Sequence, residues 1–258
     1  MWEKELQAAN EAATAAGKIL SRLFGQVKNI TKKGEIDLVT EADYQAEETL
    51  IKTIRRYFPQ DNILAEEAGK NERTSNRTWL IDPLDGTTNF VHGFPFFSVS
   101  IGLEAKGEMV VGVVLNPFMH ERFEGTKGKG AFLNHKPIAV SRTNHLKEAL
   151  LATGFPYDIR ETHEEVLNRF KKMVISAQGV RRPGSASLDM CYVAAGKLDG
   201  FWEQGLKPWD TAAGVIIVEE AGGKLSTFQG THYTPYRKSI VAANPFVHAQ
   251  IIETMKNG

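Results

Sequence analysis

The chain has 258 residues, of which 42% are hydrophobic and 24% are charged, a balance typical of a globular protein with a substantial apolar core. Lysine plus arginine and aspartate plus glutamate both number 31, so the formal net charge is zero. That balance disfavours nucleic acid and anionic membranes as partners, because both bind basic surfaces. A small-molecule partner fits it better.

Neither a membrane span nor a secretory signal is predicted. No apolar run approaches the ~20 residues of a spanning helix, and residues 1–13 carry charges and alanines where a signal peptide has an apolar segment. We therefore expect a cytoplasmic protein. The single cysteine, Cys191, rules out an intrachain disulfide, and its apolar neighbours predict a packed structural thiol rather than a nucleophile.

Two helices are predicted near the start of the chain. Residues 2–24 place leucine, isoleucine and alanine on a helical period, and Gly25 ends the pattern. A second helix is predicted over residues 41–57, with Thr40 as its cap. Asp43 falls in its first turn, where the helix dipole stabilises a carboxylate, and by itself this position indicates only capping.

Polar stretches surround the next predicted strand. Residues 32–34 and 69–78 are rich in charged and turn-forming side chains, so mobile loops are predicted there. Between them, residues 62–65 form a short predicted strand that runs into Glu66 and Glu67. Two adjacent glutamates at a strand end are usually a solvated corner.

The stretch WLIDPLDGTTNF, residues 79–90, carries the strongest chemical signal. Its apolar start predicts a buried strand that ends on Asp82, because Pro83 then fixes its own φ and turns the backbone. The Leu84 carbonyl and Asp85 follow at once. Three oxygen ligands can therefore converge on one small volume.

Gly86 and Thr87 come directly after these acids. A glycine lets the backbone approach a ligand closely, hydroxyl residues open helices, and free N–H groups at a helix start favour an anion. A cation site and a phosphate site would then share one turn, as metal-assisted phosphoryl chemistry requires. Since the preceding strand also ends on acid, Glu66 can join Asp82 there. The alternative is an ordinary solvated turn, because Asp, Pro and Gly are common turn residues.

The remaining strands and helices predict layers of sheet and helix rather than a uniform βαβ repeat. Turn formers join the next four strand patterns into a meander. These predicted strands are residues 96–103, 109–115, 122–125 and 130–134. In the second half the predicted strands are residues 150–154, 198–202, 223–227 and 239–243, and the predicted helices are residues 161–172, 186–195, 209–220 and a last helix from residue 246.

The helix at residues 209–220 is apolar nearly all round, so it is predicted to lie inside the fold. Asp210 sits in its first turn, behind Pro208. A carboxylate at the start of a buried helix has two explanations, local capping or metal ligation.

Four elements now stand in one order: LVTEAD at 38–43, AEEAG at 65–69, DPLDGTTNF at 82–90 and PWDTAAG at 208–214. Together they resemble the inositol monophosphatase family of magnesium-dependent, lithium-sensitive sugar-phosphate phosphatases, over essentially the whole chain. The resemblance implies an α+β fold, the five-layered αβαβα sandwich shared with fructose-1,6-bisphosphatase. It implies a single domain over residues 1–258, with most metal ligands in the half at about 1–145 and Asp210 and the substrate contacts at about 146–258. It also implies a homodimer.

The resemblance assigns roles to individual residues. The metal ligands that it implies are Glu66, Asp82, the Leu84 carbonyl, Asp85 and Asp210, which sets aside the capping explanation of Asp210. The catalytic residues that it implies are Glu66 and the pair Thr87 and Asp43, which orients and helps to deprotonate the attacking water. The substrate contacts that it implies are Asp85, Gly86, Thr87, Gly184, Ser185, Ala186, Glu203 and Asp210. Lys32 lies in the family's mobile loop, which approaches a loosely held third metal, and its other interpretation is an ordinary surface lysine.

These assignments predict a hydrolase of inositol monophosphate in which a metal-activated water attacks in line, without a phosphoenzyme. Hard oxygen ligands predict Mg²⁺, with Mn²⁺ as a substitute, and the resemblance implies two to three ions. A broader sugar-phosphate or nucleotide phosphatase is the first alternative, with fructose-1,6-bisphosphate, NADP, histidinol phosphate or 3′-phosphoadenosine 5′-phosphate as substrate. The second alternative, a regulatory protein that binds transcription components, would use a basic patch at 181–182 or 171–172. The other interpretation of these basic pairs is a solvated surface.

Overall fold

The computed structural model describes residues 1–26, 30–32, 38–71 and 73–256 of the protein. The helices of these residues are α1 (Glu3–Leu23), α2 (Glu41–Tyr57), α3 (Thr87–Val91), α4 (Ile159–Ser176), α5 (Ala186–Ala194), α6 (Pro208–Glu220) and α7 (Pro245–Lys256). The strands are β1 (Ile30–Lys32), β2 (Leu38–Thr40), β3 (Asn62–Ala65), β4 (Gly69–Asn71), β5 (Arg77–Asp85), β6 (Ser98–Ala105), β7 (Glu108–Asn116), β8 (Glu121–Thr126), β9 (Gly130–Leu133), β10 (Lys136–Ile138), β11 (Leu150–Thr153), β12 (Gly179–Arg181), β13 (Gly200–Gln204), β14 (Lys224–Ser226) and β15 (Ser239–Ala243). Among the described helices, none combines the length and apolar character that crossing a bilayer requires.

The strands form two large sheets and one small ribbon. The larger sheet has eight strands in the order β10-β9-β8-β7-β6-β5-β3-β4, and β1 pairs with β2 separately. Strands β6 to β9 form the predicted antiparallel meander, and β5 and β10 extend it at either side, whereas β3 and β5 run parallel. The smaller sheet has the order β12-β11-β13-β15-β14, with β11 parallel to both of its neighbours.

Helices cover both sheets, which gives five layers. Helices α1 and α2 pack together on one face of the larger sheet, and α5 and α6 lie on its other face. Helix α5 also contacts the smaller sheet, whose far side is covered by α4 and α7. The αβαβα sandwich expected from the resemblance is therefore confirmed.

Helix α6 fits against the larger sheet because three glycines remove the side chains in its path. Gly102, Gly112 and Gly125 lie side by side on β6, β7 and β8. A Cβ added at any of the three would come within 2.9 Å of atoms of α6. Every residue of α6 from Thr211 to Val218 is buried, as its all-round apolar sequence predicted.

Several predicted boundaries were wrong. The strand predicted at 79–81 continues through Pro83 to Asp85, because a bulge between Asp82 and Asp85 takes up the irregularity. The strand predicted at 198–202 is shifted by two residues to β13. Part of the polar stretch predicted to be flexible forms β4, while Glu72 within it lies outside the described residues.

The predicted mobile loop at 32–34 is described only at its first residue. Lys32 is the last residue of β1, and its side chain lies outside what the structure describes, as do the two residues after it. The role implied for Lys32 therefore stays a prediction.

Candidate active site

A cavity of about 260 Å³ opens where the end of β5 meets the starts of α5 and α6. Its wall contains every residue for which metal ligation was predicted, together with the predicted substrate contacts. Those residues are Glu66, Asp82, Leu84, Asp85, Gly86, Thr87, Gly184, Ser185, Ala186, Glu203 and Asp210. Residues from positions 66 to 210 thus converge on one volume.

Parallel pairing of two strands brings the first two acids together. Ala65 at the end of β3 lies opposite Ile81 in β5, so Glu66 and Asp82 extend from adjacent positions at the same sheet edge. Asp82 is 2% exposed, and burial raises the pKa of its carboxyl well above the ordinary value. The negative charges of Glu66, Asp85 and Asp210 raise it further, because all three are close neighbours.

The bulge at Pro83 places two carboxylates around one carbonyl. Asp82 is paired with Ser100 and Asp85 with Ser98, so β5 advances by three residues where β6 advances by two. The N–H of Leu84 donates to Asp82 Oδ1 over 2.9 Å, which stabilises the bulged backbone. Proline suits this position because a bulge needs no N–H from it.

Asp85 joins this turn to α5. Its Oδ2 accepts hydrogen bonds from Ser185 Oγ at 2.6 Å, the Ser187 N–H at 2.8 Å and Ser187 Oγ at 2.5 Å. Ser187 Oγ also lies 2.7 Å from Ser98 Oγ on β6. Burial raises the pKa of the Asp85 carboxyl, and the hydrogen bonds from Ser185 and Ser187 oppose that rise. The carboxylate therefore links the two halves of the chain at the cavity.

Asp210 both caps its helix and faces the other acids. The Lys207 N–H donates to Asp210 Oδ2 over 2.7 Å, so the capping contact that the resemblance set aside is present. Burial raises the pKa of Asp210 well above its ordinary value, and the charges of Asp85 and Glu66 add to this effect. Capping uses one carboxylate oxygen, so the two explanations of Asp210 are compatible.

Asp43 contacts Thr87, so the two residues that the resemblance paired lie together. Thr87 Oγ1 lies 3.2 Å from Asp43 Oδ1 and 3.0 Å from the Leu84 carbonyl oxygen. The other oxygen, Asp43 Oδ2, accepts from the N–H and hydroxyl of Thr40 in the predicted helix cap. Burial raises the pKa of Asp43 to about 6, against hydrogen bonds that lower it. Asp43 thus caps α2 and holds the threonine hydroxyl at the same time.

Glu203 on β13 lies in the same cavity, against Gly154. A Cβ at Gly154 would lie 2.1 to 2.3 Å from the Glu203 carboxyl atoms, so only glycine leaves room for that group. Glu203 is 7% exposed, and burial raises its pKa to about 8, while the positive charge of Arg182 opposes the rise. At neutral pH this side chain is mostly a neutral acid that can both donate and accept a hydrogen bond.

The turns that carry Gly86 and Gly184 pack against each other. Both glycines have positive φ, 94° and 96°, and a Cβ at Gly86 would lie 3.2 Å from the Gly184 carbonyl oxygen. Asn89 Nδ2 bridges the two segments by donating to the carbonyl oxygens of Phe96 and Pro183 at 2.7 and 2.8 Å. The predicted phosphate turn and the predicted substrate turn are therefore one packed unit.

The donor set fits a hard divalent cation. Glu66, Asp82, Asp85 and Asp210 supply carboxylate oxygens and Leu84 supplies a carbonyl, which are the ligands that Mg²⁺ and Mn²⁺ prefer. As placed, no three His, Cys, Asp or Glu side chains within the described ranges form a group that could hold an ion. Binding would therefore require rotation of these side chains toward one another.

Several residues at this site were missed in the sequence. Ser187 binds Asp85, Gly154 makes room for Glu203, and Asp189 lines the cavity with a buried Oδ1 that has no hydrogen-bond partner. The sequence offered one signal for Ser187 and Asp189, which is that they directly follow the predicted substrate turn at 184–186, at the start of α5. Arg182, assigned to a basic patch in one hypothesis, lines the cavity, and its guanidinium lies 5.5 Å from the Phe155 ring centroid.

Comparison with known proteins gives a consistent result. The model of the inositol monophosphatase family matches residues 1–258. An inositol-1-monophosphatase of Caulobacter vibrioides is 44% identical over 95% of this chain and 98% of its own, and Escherichia coli Nus factor SuhB is 42% identical over 98% and 96%. Among solved structures, the extragenic suppressor protein suhB of Bartonella henselae superposes with a TM-score of 0.94 at 38% identity, covering 98% of both chains. An inositol monophosphatase from Anabaena has a TM-score of 0.91 at 44% identity, covering 98% of this chain and 96% of its own.

Proposed function

Because the chain belongs to the inositol monophosphatase family, we propose that it hydrolyses inositol monophosphate to inositol and inorganic phosphate. Family membership supports the coarser statement, a phosphatase of the inositol monophosphatase type. The observation that carries the finer proposal is the joint presence of Glu66, Asp82, Asp85 and Asp210 in one cavity with the buried Glu203. The first four suit a metal and a phosphate, and Glu203 suits a hydroxyl-rich ring.

The proposed cofactor is Mg²⁺, two to three ions, with Mn²⁺ as a substitute. Glu66, Asp82, Asp85, Asp210 and the Leu84 carbonyl would hold the ions, since they are the hard oxygen donors of the cavity. When bound, Mg²⁺ lowers the pKa of coordinated water and offsets negative charge on the phosphate and the leaving oxygen. Burial and the negative charges of nearby carboxylates together raise the pKa of Asp82, so a divalent cation has a favourable place here.

Thr87 and Asp43 are proposed to orient the attacking water and accept its proton. The Thr87 hydroxyl lies between Asp43 Oδ1 and the Leu84 carbonyl oxygen, at 3.2 and 3.0 Å. A hydroxyl can accept a hydrogen bond from water while donating its own proton to a carboxylate. With a pKa raised to about 6, Asp43 is matched to proton transfer near neutral pH. Attack would be in line, with no phosphoenzyme, because the acids of the cavity are assigned to the metal.

Phosphate and ring contacts complete the proposal. The backbone of Gly86 and Thr87 would hold the phosphate beside Asp85 and Asp210. The turn at 184–186 and Glu203 would contact the ring hydroxyls. Glu203 is a mostly neutral acid in a closed position, so it can donate to one hydroxyl oxygen and accept from another.

A substrate panel with phosphate release tests the choice of substrate. We expect inositol 1-phosphate to give the highest kcat/KM among inositol 1-phosphate, fructose-1,6-bisphosphate, NADP, histidinol phosphate and 3′-phosphoadenosine 5′-phosphate. A preference of ~100-fold for a nucleotide, which equals about 2.7 kcal/mol of transition-state stabilisation, would overturn it. Loss of all activity on removal of Mg²⁺ is expected for every substrate that is hydrolysed.

A second candidate function comes from the relatives named Nus factor SuhB, which are 41–42% identical to this chain. That name motivates a regulatory protein that binds transcription components. An Asp85→Asn variant separates the two functions: hydrolysis should be lost, and a binding role would persist in a cellular assay. The proposed homodimer is tested independently by light scattering.

A further inference from the structure

The turn that carries Glu66 is hydrogen-bonded to a buried carboxylate on α2. Residues 66–68 connect β3 to β4, whose ends pair through Ala65 and Gly69. The N–H of Glu67 donates to Glu47 Oε2 over 2.8 Å, and the N–H of Ala68 donates to Glu47 Oε1 over 2.7 Å. Both oxygens of one side chain therefore bind the backbone that directly follows Glu66.

Glu47 is placed to do this by the helix that also carries Asp43. The two residues are four positions apart in α2, so they lie on the same face, one turn from each other. Both are buried, with Asp43 0% and Glu47 4% exposed. Asp43 contacts Thr87 and Glu47 contacts turn 66–68, so α2 is hydrogen-bonded to two separate segments of the cavity wall.

We propose that Glu47 is a positioning residue for Glu66, whose carboxylate direction it sets through turn 66–68. This inference rests on the proposed function, since the direction of Glu66 matters to Mg²⁺ only if the cavity binds Mg²⁺. Two hydrogen bonds from adjacent peptide groups to the two oxygens of one side chain fix the orientation of a short turn. A metal ligand needs such support, because displacements of ~0.5 Å already impair a site.

The competing explanation is that Glu47 only stabilises the fold. A stability measurement cannot separate the two, because loss of a buried, hydrogen-bonded carboxylate lowers the melting temperature in either case. Affinity for Mg²⁺ without substrate separates them, since a purely structural brace leaves it unchanged. Asp61 supplies the control, because it is a buried carboxylate before the opposite end of β3 that accepts hydrogen bonds from Trp79 Nε1 and Ser75 Oγ.

The experiment is calorimetric titration of Mg²⁺ into four purified, metal-stripped proteins, together with their melting temperatures. They are the wild type, Glu47→Gln, Glu48→Gln and Asp61→Asn. We expect Glu47→Gln to bind Mg²⁺ ~10- to 100-fold more weakly, the usual effect of losing a group that orients a ligand. Glu48→Gln, the same chemical change at the adjacent exposed position, should bind as the wild type does. Asp61→Asn should melt earlier and keep its Mg²⁺ affinity.

Two outcomes would overturn this inference and leave the proposed function standing. The first is equal Mg²⁺ affinity in the wild type and Glu47→Gln, and the second is a loss of Mg²⁺ affinity in Asp61→Asn as large as that in Glu47→Gln. If Glu47→Gln does not fold, Glu47→Asp replaces it, because it retains the charge on a shorter side chain and should weaken binding more than Asp61→Asn does. Absence of Mg²⁺ binding by the wild type overturns the proposed metal role and this inference together, and it is visible before any variant is compared.

Discussion

Asp85 Oδ2 accepts a 2.6 Å hydrogen bond from Ser185 Oγ, across 100 positions of the chain. The first residue ends β5 of the larger sheet, and the second precedes α5 in the layer between the sheets. Asp85 is proposed as a metal ligand and Ser185 as a substrate contact. The bond therefore joins the two parts of the proposed chemistry.

Ser185→Ala tests that connection. The variant removes one of the hydrogen bonds that the Asp85 carboxylate accepts, and a hydrogen bond to a charged group contributes ~1.5–3 kcal/mol. We expect kcat/KM for inositol 1-phosphate to fall by about tenfold or more, measured by phosphate release. Ser226→Ala is the control, because Ser226 is equally buried and its hydroxyl donates to the Thr227 carbonyl, away from the cavity. Equal activity in both variants would argue against the connection.

Thr87→Val tests the proposed proton path. Valine keeps the shape of threonine and removes the hydroxyl that lies 3.2 Å from Asp43 Oδ1. Because positioned acid–base groups contribute ~10²–10⁴-fold, we expect kcat to fall by at least about 100-fold while KM changes little. Thr53→Val removes a similar hydroxyl, bonded to the Thr49 carbonyl in α2, and should leave kcat unchanged. A Thr87→Val enzyme with wild-type kcat would exclude this role.

Much of the fold was predictable because its signals are local. Thr40 and Asp43 lie three positions apart, so their cap marks the start of α2 in the sequence itself. The strand end predicted at Pro83 was wrong because it too rested on a local signal. A proline predicts a break, and only the pairing with β6 shows that the strand continues through a bulge to Asp85.

The supporting residues of the site could not be predicted, because long-range contacts define them. Glu47 meets a turn about twenty positions away, and Gly154 matters only because Glu203 lies against it. In the sequence, Glu47 is one more acid in a charged helix. Its position four residues after Asp43, on the same face, is the one signal that the sequence contains.

Gly154→Ala tests the fit around Glu203. An alanine Cβ would lie within 2.3 Å of the Glu203 carboxylate, so that side chain must move. We expect KM for inositol 1-phosphate to rise, whereas kcat/KM for p-nitrophenyl phosphate, which has no ring hydroxyls, should change little. Gly179→Ala is the control, because its Cβ would meet nothing closer than 3.4 Å. A parallel loss on both substrates would indicate general disruption instead.

Glu203→Gln tests the protonation state of this side chain through stability. Burial raises the folded-state pKa of Glu203 from 4.5 to about 8, so the folded protein binds a proton that the unfolded chain has released. The stability that Glu203 gains from holding this proton is fully present below pH ~4.5 and is lost as the pH rises through about 8. In metal-free protein, the melting temperature should therefore fall less steeply between pH ~5 and ~8 in Glu203→Gln than in the wild type. Glu148→Gln, an exposed change, should keep the wild-type slope.

The direction in which Asp82→Asn changes the melting temperature distinguishes a metal site from an ordinary buried carboxylate. In metal-free protein at about pH 8, burial and the negative charges of Glu66, Asp85 and Asp210 oppose ionisation of Asp82 by raising its pKa. Removing its charge should then raise the melting temperature, while the asparagine oxygen can still accept from the Leu84 N–H. Asp199→Asn should instead lower the melting temperature, because the Asp199 carboxylate accepts hydrogen bonds from Ser141 Oγ and the Leu150 N–H.

Addition of Mg²⁺ should reverse the order of the wild type and Asp82→Asn. Ligand at about 100 times its Kd stabilises a folded protein by ~2.7 kcal/mol, which for a chain of this size raises the melting temperature by roughly 5–10 °C. The wild type should show that rise, and Asp82→Asn should show little of it, because one ligand has been replaced by a weaker donor. Differential scanning fluorimetry of chelator-treated protein, with and without Mg²⁺, measures both effects. A metal-free Asp82→Asn that melts below the wild type would contradict a destabilising Asp82 charge, and the argument for a cation at this position would lose its physical basis.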